Sequence, residues 1–150
     1  MARISATLQR TFTVTASIKE VYEFFANPAL LKDIMDGVES VDIQEDGTVH
    51  WLLEEKVEKG IRFQADYIVR YGCNGTDRVT WEFVEGNMGN SGDVKLITTE
   101  SGTQIDYTET VEPDLPITAI LAKLMKPIVA KELRSDVGGY LERVEKRFNS

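Results

Sequence analysis

The chain has 150 residues, 42% of them hydrophobic and 28% charged, which suits one domain burying about two thirds of its unfolded surface and excludes disordered, fibrous and collagen-like classes. Lys and Arg number 17 against 25 Asp and Glu, and the net charge of −8 repels polyphosphates, so nucleic acid is not the expected partner. The single cysteine, Cys73, can form neither an intramolecular disulfide nor a metal cluster, and a reducing cytoplasm is the expected compartment.

The opening Met1 to Thr7 has no apolar core of a signal segment, and no stretch reaches the ~18 consecutive apolar residues of a membrane span, so neither export nor insertion is expected. Residues 6–14 (ATLQRTFTV) read as a first strand. Ser17-Ile18-Lys19-Glu20 matches a capping box and starts a helix. Its apolar positions Ile18, Val21, Tyr22 and Phe25 share one face, and Asn27-Pro28 stops it. Pro28 opens a second short helix carrying Leu30, Leu31, Ile34 and Met35, which ends at Asp36-Gly37.

From Val38 to Glu112 the text becomes a meander. Asp46-Gly47, Lys59-Gly60, Asn74-Gly75 and Ser101-Gly102 mark turns between strands at 38–45, 48–57, 61–73, 78–85, 92–100 and 103–112. Gly86, Gly89 and Gly92 fall between two of these and read as a mobile loop or bulge. After Glu112-Pro113-Asp114-Leu115-Pro116 the period turns helical to the C-terminus, with a break or kink expected near Met125-Lys126 because of Pro127. Val129, Leu133, Val137, Tyr140, Leu141, Val144 and Phe148 form one stripe facing the sheet, and Gly138-Gly139 is read as permitting close approach to it.

The whole of residues 1–150 is therefore expected to be a single α+β domain: a curved seven-stranded antiparallel sheet wrapped around a long C-terminal helix, with two short helices between strands one and two. A rolled sheet cannot touch a straight helix along its whole length, so an apolar cavity is expected between them. TFTVTASIKEVYEFFANPALL, DGVESVDI, GDVKLI before SGTQIDYTETVEP, and the final amphipathic helix resemble the START-like, Bet v 1-like (SRPBCC) superfamily of helix-grip proteins. Within it the similarity is to the polyketide cyclase/dehydrase and lipid-transport group, which includes coenzyme Q-binding relatives. The resemblance covers nearly the whole chain and implies a ligand cavity without a cofactor. Ile34 stands where that family often has a tryptophan, a departure at the cavity mouth.

Strand parity assigns the inner wall. Ile61, Phe63, Ala65, Tyr67, Val69 and Tyr71 share a face, as do Trp51 and Leu53; Val79, Trp81 and Phe83; and Ile105, Tyr107 and Val111. Candidate ligand-binding residues are Trp51, Phe63, Tyr67, Trp81, Phe83, Tyr107 and Glu109, with Leu124, Val129, Leu133 and Val137 of the last helix. The same rings could equally fill a solid core. Glu55 and Glu109 sit on apolar faces. Each is either a cavity carboxyl with a raised pKa or a rim residue, solvated or paired with Lys or Arg.

His50, the one histidine, lies opposite Trp51 toward solvent and has no catalytic partner at a known spacing. No metal site is expected, and H-E-x-x-H, G-x-S-x-G, C-x-x-C and the P-loop pattern are absent. Asn74-Gly75-Thr76 matches a glycosylation triplet but is explained by its turn, and Cys73 beside it is read as inert. From Lys123 to Arg147 the last helix holds seven Lys and Arg (Lys123, Lys126, Lys131, Arg134, Arg143, Lys146, Arg147) against Glu132, Asp136, Glu142 and Glu145. That balance fits an anionic membrane surface or a protein partner, or an ordinary solvated face with pairs such as Glu142 with Lys146.

The leading expectation is binding or carriage of a lipophilic small molecule: isoprenoid, quinone, fatty acyl or polyketide-like. The alternatives are a cyclase or dehydratase using Glu109 with Tyr67 or Tyr107 as acid and base, and a module acting through its surface.

Overall fold

The computed structural model describes residues 2–149. Ten strands and three helices follow in order: β1 (Ala2–Arg3), β2 (Ala6–Val14), α1 (Ile18–Phe25), α2 (Pro28–Ile34), β3 (Val38–Ile43), β4 (Val49–Leu53), β5 (Lys56–Glu58), β6 (Ile61–Phe63), β7 (Asp66–Cys73), β8 (Arg78–Gly86), β9 (Met88–Thr99), β10 (Gly102–Leu115) and α3 (Ala119–Phe148). Eight strands form one antiparallel sheet in the order β1-β10-β9-β8-β7-β4-β3, with β2 also on β10, while β5 and β6 form a separate hairpin. This is the expected α+β helix-grip architecture, with eight strands in the sheet where seven were expected, because the short β1 adds to the end of β10.

Local chemistry sets the start of each helix. Ser17 accepts from the amide of Glu20 at 3.3 Å, and Asn27 accepts from Ala29 at 3.1 Å, so both short helices have a capped N-terminus. Gly37, at φ 74°, then reverses the chain into β3. The two short helices close one end of the rolled sheet with Val21, Phe24 and Phe25, the last two edge-on at 5.1 Å.

α3 is held mainly by its C-terminal half. Leu141 and Val144 are fully buried, each such side chain contributing about 1.5–3 kcal/mol. The Phe148 carbonyl accepts from Ala16 N at 3.0 Å and from Thr15 Oγ at 3.0 Å. Arg143 donates to the Ile34 carbonyl at 2.8 Å, tying α2 to the helix. Only Met125 and Leu133 are buried in the N-terminal half, which leaves a space between that half and the sheet.

Several expectations are corrected. The strand at 48–57 ends at Leu53, and 61–73 is interrupted at Gln64-Ala65, so β5 and β6 leave the sheet as a flap, although the inward parity from Ile61 to Tyr71 survives the break. The glycine-rich stretch is strand: β9 begins at Met88 and takes in Gly89 and Gly92, pairing with β10 from Met88↔Pro113 onward. α3 runs unbroken through Pro127, whose missing N–H leaves the Lys123 carbonyl on an exposed face where water can satisfy it. Gly138 and Gly139 mark no tight approach, since a Cβ there would meet only Arg10 at 3.5 Å and Arg143 at 3.4 Å.

Candidate functional site

β8 and β9 pair only from Arg78↔Lys95 to Trp81↔Gly92; beyond that β8 continues on β7 and β9 on β10. The sheet splays at this seam. Asn87 bridges its far end, accepting from Asp66 N at 2.8 Å and donating to the Gln64 carbonyl at 2.8 Å. Inside the seam the indole of Trp81 lies across Gly92, where a Cβ would collide with its six-membered ring. The Trp81 N–H reaches Asn90 Oδ1 at 2.7 Å.

Two chambers meet at that point. The larger, of about 450 Å³, lies under the first half of α3, with walls including Phe63, Met88, Val111, Val129, Leu133 and Val137. The smaller, of about 40 Å³, lies deeper among Phe25, Trp51, Tyr71, Trp81 and Tyr107 and has room for a few waters or a methyl-sized group. Met35, Tyr67, Asn90, Glu109 and Tyr140 line both, so they form the collar between them.

The collar is polar within an apolar wall. Tyr107 donates to Glu109 Oε1 at 2.5 Å, and Asn90 Nδ2 donates to Glu109 Oε2 and to the Tyr67 hydroxyl, each at 3.4 Å. Glu109 is enclosed by protein, and the surface it keeps faces the chambers. Burial pushes its carboxyl above the usual 4.5, only partly offset by the bonds from Tyr107 and Asn90. The phenols of Tyr67, Tyr107 and Tyr140 are raised far above 10, first by burial and further by the negative charge of Glu109. They are therefore neutral donors and acceptors at any physiological pH.

At the mouth, Lys56 on the β5–β6 flap contacts Glu132 at 3.2 Å and also Asp136, both on α3. Burial would lower the Lys56 ammonium, but the two carboxylates outweigh it and hold it above its ordinary value. Across the opening Arg143 faces Asp36 at 3.4 Å.

Of the residues singled out by sequence, Trp51, Trp81 and Tyr107 line the deep chamber, Phe63, Val129, Leu133 and Val137 the large one, and Tyr67 and Glu109 the collar. Two do not line either. Leu124 is 67% exposed on the outer face of α3, and Phe83 packs into the core without reaching a chamber, because β8 has turned away past the seam. Glu55 lines neither chamber and is exposed, paired with Arg62 at 3.0 Å. His50 lies on the outer face, as parity predicts, and meets Asp66 of the neighbouring strand at 2.5 Å. Cys73 is exposed, and α3's ion pairs run to Lys56 and Asp36 rather than from Glu142 to Lys146. Asn90 and the chamber residues Met35, Met88 and Tyr140 were missed as site residues. Among the described residues no group of three His, Cys, Asp or Glu could hold a metal, and no helix is long and apolar enough to cross a membrane.

The chain has a helix-grip fold with a cavity between its sheet and its last helix, and known structures share the fold. An aromatase/cyclase, Zhui, from a Streptomyces species superposes with a TM-score of 0.71 at 15% identity over 95% of this chain and 93% of that one. A Thermus thermophilus protein, TTHA0849, gives 0.69 at 21% identity over 96% of both chains. A START superfamily protein of Mycobacterium smegmatis gives 0.65 at 14% identity over 97% and 96%. At these identities the likeness establishes the START-like fold alone. No protein-family model matches the sequence, and no curated protein matches it.

Proposed function

We propose that this protein binds and carries a lipophilic small molecule of the isoprenoid, quinone or polyketide-like kind, apolar body in the large chamber and polar end at Glu109, Asn90 and Tyr67. The observation that carries the reading is the cavity of about 450 Å³ between α3 and the sheet, apolar in its walls, with a polar collar at its floor and charged residues at its mouth. Such sites place few polar groups where they fix a ligand's orientation. A neutral apolar fluorophore, N-phenylnaphthylamine, tests it. Emission should rise on mixing with the protein and be lost in both Leu133→Trp and Val129→Trp, which fill the chamber; no rise, or a rise indifferent to both changes, refutes the reading.

A second reading rests on the short Tyr107 to Glu109 contact in a buried setting. A carboxyl with a raised pKa and a neutral phenol are an acid/base pair of the kind a cyclase or dehydratase needs, and three of the structural neighbours are named aromatase/cyclases or ARO/CYC proteins. Loading from an anionic membrane accompanies the carrier reading. Ile120 and Leu124 are 78% and 67% exposed on α3 next to Lys123 and Lys126, an apolar strip flanked by cations beside the chamber wall formed by Met125 and Ile128.

A further inference from the structure

We propose that the cavity selects its ligand by charge, accepting amphiphiles whose polar end is a hydrogen-bond donor, an amine foremost and a hydroxyl next, and turning away carboxylates and phosphates. This rests on the carrier reading and narrows it. Both ends of the large chamber are acidic. Asp36, Glu54, Glu58, Glu132 and Asp136 line its mouth, and Glu109 stands at its floor.

Lys56 is the only cation lining either chamber among the described residues, and it is committed to Glu132 and Asp136. The lysines of the first half of α3 lie outside, on the exposed side of the helix. An anionic ligand therefore gains nothing by reversing. With its head inward it meets Glu109, beside the neutral groups of Tyr67 and Asn90, where water screens poorly, and with its head outward it meets the solvent-exposed carboxylates of the mouth.

For a donor the same geometry is favourable. Tyr107 occupies Oε1 of Glu109 at 2.5 Å, whereas Oε2 receives only the long 3.4 Å contact from Asn90 and keeps accepting capacity toward the chamber. An ammonium there forms a charge-assisted bond, about twice as strong as a neutral one. A hydroxyl donates to the same carboxylate without bringing a charge of its own, and an ionised carboxylate head has no proton to donate to it. Free fatty acids, and acyl groups delivered on phosphate-bearing carriers, are the members of the lipophilic class that this arrangement disfavours.

The test is displacement of N-phenylnaphthylamine from the intact protein by decylamine, decanol and decanoate, which share one tail. Decylamine should displace on the order of tenfold more tightly than decanoate, with decanol between them. In Glu109→Gln the amine and the alcohol should come within about twofold of each other. Decanoate binding as tightly as decylamine overturns the charge selection while leaving the carrier reading intact. An amine preference that survives Glu109→Gln overturns the role of Glu109, and uptake of the dye without displacement by any of the three removes the proposal for chain amphiphiles. Failure of the dye itself to bind removes the carrier reading, and this proposal with it.

Discussion

Gly92→Ala tests how the collar is built. The new methyl would overlap the six-membered ring of Trp81, which is walled in by Tyr71 at 6.2 Å and Tyr107 at 5.8 Å between ring centroids. Overpacking of this kind costs about 1–3 kcal/mol. Moving the indole also lengthens the 2.7 Å bond to Asn90, and losing it adds about 1 kcal/mol. Together these come to about 2–4 kcal/mol, or roughly 4–16 °C in Tm for a chain of this size. Urea unfolding followed by far-UV circular dichroism measures the loss. In the Trp81→Phe background the offending ring is gone, so the cost of Gly92→Ala should fall below about 1 kcal/mol, a coupling visible in the double-mutant cycle. A Gly92→Ala protein within about 0.5 kcal/mol of wild type would refute the close approach on which the collar depends.

Gly138→Ala should do the opposite, raising stability by about 0.5–1 kcal/mol through helix propensity because the nearest atom is Arg10 Nη2 at 3.5 Å; destabilisation in the same urea assay would show a tighter helix-to-sheet fit than described. Folding raises the Glu109 carboxyl above 4.5, so its contribution is fully present below that unfolded value and is lost as pH rises through the folded one. The Tm of Glu109→Gln relative to wild type should therefore climb as pH rises above 4.5, and a difference independent of pH would contradict the burial of an ionisable carboxyl there. Sedimentation with phosphatidylserine vesicles should fall at least severalfold in Lys123→Glu/Lys126→Glu and little with neutral phosphatidylcholine, whereas equal binding by wild type and variant would dismiss the α3 strip as a membrane contact.

The features legible in the sequence are those governed by neighbours in the chain. Ser17 caps α1 because the serine and the amide it serves are three residues apart, and Tyr67 and Tyr107 face inward because parity is a local property of a strand. Parity also placed Glu109 on the inner face, but whether that carboxyl reached a rim or a cavity depended on which strands flank β10. Asn90 stayed hidden for the same reason. G-x-x-G-x-x-G reads as a loop until it is known that Gly92 makes room for Trp81, a partner eleven positions away, and that β9 pairs with β10 along its whole early length. Leu124 was misplaced because helical spacing gives a stripe without saying where the helix lifts from the sheet. Phe83 was misplaced because parity continues past Trp81 although the β8–β9 pairing does not.

Native mass spectrometry of gently purified protein, followed by solvent extraction of whatever accompanies it, shows whether the cavity carries a lipophilic guest. A discrete lipophilic adduct is expected, neutral or basic, carrying a hydroxyl or amine, and missing from Leu133→Trp. A protein that is clean in mass, and stays clean after incubation with quinones, isoprenoid alcohols and lipophilic amines, would contradict the carrier reading.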